Sequence, residues 1–414
     1  MALSRRQFVV GTSAFALASP ALMGRAQDAT IKIASILDLS GGLDIYGAPM
    51  DVMTRLAVDD INAAGGLLGR KVELKTYDAQ SSIQLYTQYA TEAAAGERVA
   101  AVHGGITSAS REAIRPTLGR FKTLYFYNTQ YEGGVCDYNC FCTGTTPAQT
   151  VAKVVPYVMK KWGKKAYIVA ADYNYGQIIA QWMQKFVADA GGETLAVEFF
   201  PLDVTNFGPT ITKIQQAKPD FVFSALVGGA HVSFYRQYAA AGLKSSIPMA
   251  STTFGVGNEN MLISAAEGNG LVASYSYFES VPTAKNADIL ARLTASMGDK
   301  RPGLNELAVR SYEGVMLWAE AVKAAGTADR DPVIEALRTG LTYDGPTGPL
   351  TVDPKTHHCI QNVYLAELQD QKFNIIETHE AQPPSDTQLV CDLVANPDQA
   401  TFYFENGLAA AGIK

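Results

Sequence analysis

The chain has 414 residues, 47% hydrophobic and 18% charged, with 34 Lys and Arg against 40 Asp and Glu for a net charge of −6. That mildly acidic balance, without basic clusters, argues against nucleic acid or an anionic membrane surface and leaves a small molecule or a protein as the partner. Beyond the N-terminal segment no apolar run reaches the ~18 residues of a membrane-spanning helix.

Ser4-Arg5-Arg6-Gln7-Phe8-Val9-Val10 is a twin-arginine pattern, and the apolar, alanine-rich run that continues to Met23 is too short to remain as a span. Arg5 and Arg6 are therefore read as an export signal. Gly24 and Ala26 offer the small residues a signal peptidase needs, so cleavage is expected after Ala26, leaving a mature periplasmic chain. A chain of that length is expected to divide into two lobes, because single cores stop growing at ~250–300 residues.

Strands and helices then alternate, the mark of parallel sheets covered by helices on both faces. Residues 31–39 form a continuous apolar strand, and 49–61 carry Met50, Met53, Ala57 and Ile61 at helical spacing before stopping at Ala64-Gly65-Gly66. A strand at 71–77 comes next. The order recurs further on, with a helix at 177–188, Ala190-Gly191-Gly192 and a strand at 194–200, which suggests two lobes on one plan. Further strands fit 99–103, 123–127, 166–171, 220–226, 247–250 and 270–278. Helices at 287–297, 305–324 and 332–337 come without a strand between them, and Tyr343-Asp344-Gly345-Pro346-Thr347-Gly348 reads as a turn.

All five cysteines, Cys136, Cys140, Cys142, Cys359 and Cys391, lie in the mature chain, where an oxidising periplasm permits disulfides. An odd count leaves at least one thiol unpaired. Their spacing fits local stapling better than a zinc site, and the adjacent His357 and His358 point in different directions, so no metal is expected. Cys359 with Cys391 is a plausible pair.

In open α/β sheets, ligands sit beyond the carboxyl ends of the strands. Those ends here are Gly104-Gly105-Ile106-Thr107-Ser108, Tyr127-Asn128-Thr129-Gln130, Asp172-Tyr173-Asn174-Tyr175-Gly176 and Ser251-Thr252-Thr253-Phe254-Gly255. Hydroxyls and phenols outnumber charges at each, and Glu132 nearby is read as solvated or as a structural acceptor.

These segments, with Asp59-Asp60-Ile61-Asn62-Ala63-Ala64-Gly65-Gly66 and Gly255-Val256-Gly257-Asn258, resemble the solute-binding proteins of ABC importers of the Leu/Ile/Val-binding type over nearly the whole mature chain. Tyr127-Asn128-Thr129-Gln130-Tyr131-Glu132-Gly133 and Pro354-Lys355-Thr356-His357-His358 are similar in particular to the branch with urea-binding importer components and an amide receptor. The resemblance implies an α/β, type I periplasmic-binding-protein fold of two doubly wound parallel-sheet lobes joined by a three-crossing hinge near Thr146, Tyr277 and Tyr343. The first lobe would hold 27–146 and 278–343, the second 147–277 and 344–380, with 381–414 as a C-terminal extension.

By the same resemblance Ser108, Tyr127 and Thr129 contact the solute from the first lobe, and Tyr173, Tyr175 and, more weakly, Thr253 from the second. Phe254 stands where the family's amino-acid binders place a carboxylate for the ammonium, so a neutral solute such as urea or a short amide is expected, delivered to ABC permease subunits without a cofactor. A branched-chain or other amino acid in the same importer family, or an amide-sensing regulatory role, are the alternatives. No Gly-x-Ser-x-Gly or His-Glu-x-x-His motif occurs, which argues against an enzyme.

Overall fold

The computed structural model describes residues 30–399 and 402–414, so Arg5, Arg6 and the cleavage point after Ala26 lie outside the described residues. The first sheet has five parallel strands in the order β2-β1-β3-β4-β5: β1 (Thr30–Leu37), β2 (Lys71–Asp78), β3 (Ala101–Gly104), β4 (Leu124–Tyr127) and β5 (Cys140–Cys142). Helices α1 (Asp44–Ala63), α2 (Ile83–Thr91) and α3 (Ser108–Phe121) connect them. The α1 stripe of Met50, Met53, Ala57 and Ile61 is buried, as its spacing predicts. The helix ends because Gly66 turns at φ +81°, where a Cβ would stand 2.1 Å from the Arg70 carbonyl oxygen.

The second lobe continues with α4 (Val151–Trp162), β6 (Lys165–Ala171), α5 (Asn174–Asp189), β7 (Glu193–Phe200), α6 (Gly208–Ala217), β8 (Phe221–Ala225), α7 (Gly229–Ala240), β9 (Met249–Ser251), α8 (Ala265–Gly268) and β10 (Val272–Tyr275). Its strands pair in parallel from β7 through β6, β8 and β9 to β10. The chain then returns to the first lobe as α9 (Ala284–Met297), α10 (Glu306–Ala325) and α11 (Arg330–Arg338). There Asp60 of α1 pairs with Arg292 and accepts from the Tyr312 hydroxyl.

After α11 the fold differs from the arrangement that the residue pattern predicts. Residues 343–348 are the tip of a hairpin between β11 (Thr342–Gly345) and β12 (Gly348–Val352), and β13 (Cys359–Gln369) and β14 (Lys372–Gln382) complete an antiparallel flank on the second sheet. The second lobe is therefore mixed, parallel at its centre and antiparallel at this flank. β14 is not legible in the sequence because its exposed and half-buried positions give no apolar face.

One helix face ties all three crossings together. Glu306 accepts from Thr145 (2.8 Å) in the first crossing and Ser276 (2.7 Å) in the second, while Glu313 accepts the Thr347 amide (3.0 Å) and hydroxyl (2.8 Å) after the third. Arg310 lies between the two carboxylates and pairs with Glu313 at 2.6 Å. Burial pushes both carboxyls up, and Arg310 beside them works the other way.

The expected Cys359–Cys391 pair is not formed. Cys391 bonds instead to Cys136, with Cα atoms 5.4 Å apart across 255 residues of sequence. The reason is topological: Cys359 opens β13 inside the second-lobe core, whereas the extension carries Cys391 over to the loop before β5. Nor are the other cysteines locally stapled, since Cys140, Cys142 and Cys359 are free and buried. His358 is held by the Thr356 carbonyl (2.8 Å) and the Tyr131 hydroxyl, and His357 stacks on Phe141 at 4.3 Å.

Candidate functional site

Two turns build the first-lobe wall. β3 ends at Gly104, and Gly105 turns at φ +80°, where a Cβ would meet the Tyr125 hydroxyl at 2.8 Å. Thr107 then caps α3, its side chain accepting from the Ser110 amide at 3.1 Å. The capping geometry presents Ser108 and the opening amides of α3 beyond the strand ends, where the helix dipole is positive. β4 ends alongside, delivering Tyr127, Thr129 and Gln130.

Opposite, β6 ends at Ala171 and α5 begins immediately, with Tyr173 as its N-cap position and Tyr175 in its first turn. Gly176 permits this close start, because a Cβ there would lie 1.9 Å from the Ala171 carbonyl oxygen. The loop after β9 brings Thr253.

All six residues singled out from the sequence, Ser108, Tyr127, Thr129, Tyr173, Tyr175 and Thr253, line one cavity between the lobes. Sequence reasoning missed Tyr46, Ile106, Thr107, Gln130, Val227, Val256 and Leu307, which complete the lining. The strand-end rule would have found Tyr46, since it comes after β1, and Gln130 sits within the segment already quoted. The space open to the centres of water molecules is about 40 Å³, room for only a few water-sized groups. Among the described residues that line the cavity there is no Asp, Glu, Lys, Arg or His.

Five of the lining hydroxyls already donate their protons within the protein. Tyr127 donates to the Ile106 carbonyl (2.9 Å), Thr129 to the Gly105 carbonyl (3.0 Å), Thr253 to the Leu226 carbonyl (2.6 Å) and Ser108 to Glu132 Oε2 (2.5 Å). Tyr46 donates to Glu259 Oε1 (3.1 Å) and accepts from the Gly228 amide (2.8 Å). What remains for a bound molecule at these oxygens is lone pairs. Burial pushes the phenols of Tyr46, Tyr127, Tyr173 and Tyr175 upward, so they stay protonated at neutral pH.

Charge lies behind the wall rather than on it. Glu132 is a buried structural acceptor, pairing with Arg111 Nη2 at 3.0 Å beneath Ser108. Burial alone would depress Arg111, yet Glu132 and Glu112 hold it above its ordinary value, with its guanidinium over the rings of Tyr127 (5.2 Å) and Tyr131 (4.8 Å). Phe254 is fully buried against Tyr235 and His231, away from the cavity. Hydrogen bonds cross directly between the lobes here: Tyr46 to Glu259, Gln130 Nε2 to the Thr252 carbonyl (2.8 Å) and Trp182 Nε1 to the Glu132 carbonyl (3.0 Å).

Comparison with known proteins agrees with this architecture. Residues 30–372 match the periplasmic binding protein family. The leucine-, isoleucine-, valine-, threonine- and alanine-binding protein of Pseudomonas aeruginosa is 26% identical over 377 residues, 89% of this chain and 95% of that protein. Leu/Ile/Val-binding protein homolog 6 of Brucella melitensis is 27% identical over 229 residues, and the match spans 55% of this chain and 58% of the relative. Among solved structures, an ABC transporter solute-binding protein from Rhodopseudomonas palustris BisB5, in complex with 3,4-dihydroxybenzoic acid, superposes with a TM-score of 0.77 at 25% identity over 87% of this chain and 99% of that one. The leucine-binding protein of Thermotoga maritima shares the fold, with a TM-score of 0.74 at 19% identity over 86% and 99% of the two chains. The two-lobed fold, the match over most of the described residues and these likenesses together place the chain in the periplasmic binding protein family, as a periplasmic binding protein rather than an enzyme.

Proposed function

We propose that this protein is the solute-binding component of an ABC importer and captures urea or a short-chain amide between its lobes. The observation that carries the reading is an uncharged cavity in which five lining hydroxyls, of Tyr46, Ser108, Tyr127, Thr129 and Thr253, donate within the protein and so face a solute as acceptors. A solute rich in N–H groups satisfies such a surface, and its carbonyl oxygen can accept from the opening amides of α3.

The other solute classes fit less well. An amino acid brings an ammonium, which needs a carboxylate that the lining lacks. The 3,4-dihydroxybenzoic acid bound by the Rhodopseudomonas protein brings a carboxylate and a ring, for which this cavity has no cation and little room. Ser108, Tyr127, Thr129, Tyr173, Tyr175 and Thr253 are the proposed contacts, with Tyr46 and Gln130 closing over the solute. The lobes would close by a hinge and present the closed form to the permease.

At ~1.5 kcal/mol per heavy atom, four-atom urea gains at most ~6 kcal/mol, a dissociation constant of tens of micromolar. Isothermal titration with urea, formamide, acetamide, leucine and 4-hydroxybenzoate tests the proposal. Heat with urea or an amide in that affinity range is expected. Heat with leucine or 4-hydroxybenzoate alone would overturn the solute assignment and leave the family untouched.

A further inference from the structure

After β14 the chain does not end on its own lobe. Asp386 is buried and accepts from the Thr146 hydroxyl (2.8 Å) and the Ala148 amide (3.0 Å), both in the first crossing. Thr387 then accepts from the Gly134 amide at 3.0 Å, and Cys391 is covalently joined to Cys136. Gly134 and Cys136 belong to the first-lobe loop that also supplies Thr129 and Gln130 to the cavity.

The segment next reaches the opposite lobe. Cys136 donates its amide to the Phe402 carbonyl (2.9 Å), and two residues later Phe404 packs edge-on against Trp182 of α5 at 5.9 Å. Leu408 joins Phe404, Trp182 and Ile178 in a small buried cluster, and its amide donates to Gln181 at 2.9 Å. Trp182 itself donates to the Glu132 carbonyl of the first-lobe loop. Phe404 fits because Gly134 has no side chain: a Cβ there would come within 2.4 Å of the ring.

Thus one segment is fastened to two elements on opposite lobes, each presenting polar groups to the cavity. The 128–136 loop carries Thr129 and Gln130, and α5 carries Tyr173 and Tyr175 near its start. Separating the lobes requires either breaking the Trp182–Glu132 bond and the Phe404 contact or dragging the loop through the disulfide. We propose that residues 383–399 and 402–414 form a positioning strap that fixes the solute loop and limits how far the lobes open, so that residues touching no solute set its residence time. The inference rests on the two-lobe hinge and holds whichever solute is bound.

The test pairs two readouts in the full-length mature protein. Spin labels at Gln88→Cys on α2 and Gln215→Cys on α6, both exposed, report the distance between lobes without solute. Stopped-flow displacement of urea reports the dissociation rate. Phe404→Ala and Trp182→Phe are expected to broaden the solute-free distance distribution toward longer separations and to speed urea release by about three- to tenfold, as loss of one net interlobe bond implies. Phe404→Tyr should keep both near the wild-type values, which a general loss of stability would not do. The double variant Cys136→Ser, Cys391→Ser should broaden the distribution further. Unchanged distances in all of these variants would overturn the strap. If urea does not bind, the solute assignment fails and the distance measurement still decides this proposal.

Discussion

Replacing Tyr46 by Phe removes one oxygen from the seam between the lobes and leaves the ring in place. That oxygen donates to Glu259 at 3.1 Å and accepts from the Gly228 amide at 2.8 Å, so both bonds join α1 of the first lobe to loops of the second. Opening the lobes breaks them in the wild type, and the variant therefore loses stability only in the closed state. A net hydrogen bond is worth ~0.5–1.5 kcal/mol and one to a charged group ~1.5–3, which gives about 2 kcal/mol for the pair once partial rehydration is allowed. Glu259 keeps the Gly255 and Gly257 amides at 2.8 and 3.0 Å, which bounds the damage. Through the open–closed equilibrium, about 2 kcal/mol is up to about 30-fold in solute affinity. Titration calorimetry with urea on Tyr46→Phe should show that weakening, while the solute-free melting temperature moves little because each lobe keeps its own core. Unchanged affinity would mean that closure does not use this contact, and the reasoning from interlobe bonds would fail.

Tyr127→Phe deletes an acceptor from the cavity and should weaken urea binding about tenfold with little change in fold, measured by calorimetry and circular dichroism; equal affinity would remove Tyr127 from the site. Glu132→Gln leaves the fully buried Arg111 with Glu112 as its remaining anionic partner and should cost about 3 kcal/mol in guanidinium chloride denaturation, whereas a change below about 1 kcal/mol would mean the pair is not structural. Acid should destabilise the fold through its histidines. Burial pushes His103, His231 and His357 down to about 3, so they stay neutral when folded while the unfolded chain takes up protons below about 6.5. Their stabilisation is present above pH ~6.5 and is lost as pH falls toward 3, about 2 kcal/mol each by pH 5. His358 opposes this: burial lowers it, but Cys142 and its hydrogen bonds raise it overall, so its contribution is full below pH ~6.5 and fades at higher pH. Burial also pushes up the Glu306 and Glu313 carboxyls, whose protonation favours the folded state as pH falls, so the test compares the stability change between pH 7 and pH 5 in the wild type and in His231→Phe; the wild type should lose about 2 kcal/mol more, and equal changes would contradict the burial of that ring.

Much of the candidate site is legible in the sequence because it lies at strand ends, where local pattern and topology coincide. Ser108 comes after a glycine turn and an N-cap, Tyr127 ends a short buried strand, and Tyr173 and Tyr175 open a helix directly after one. The interlobe role of Tyr46 is not legible, because nothing near it in sequence reveals that Glu259 and Gly228 will face it from the other lobe. Sequence leaves Glu132 between solvation and structural acceptance, and its burial with Arg111 decides for the second.

Local pattern alone therefore determined the alternating strands and helices, the two-lobe plan and the uncharged character of the cavity wall, since these depend on periodicity, turn residues and composition over a few neighbours. Tertiary structure decided the Cys136–Cys391 pairing, the antiparallel flank and the bonds that cross between lobes. Each of these joins residues separated by a long stretch of chain or fixes a register, and their pairing energy depends on where the fold brings them, which neighbouring residues do not encode.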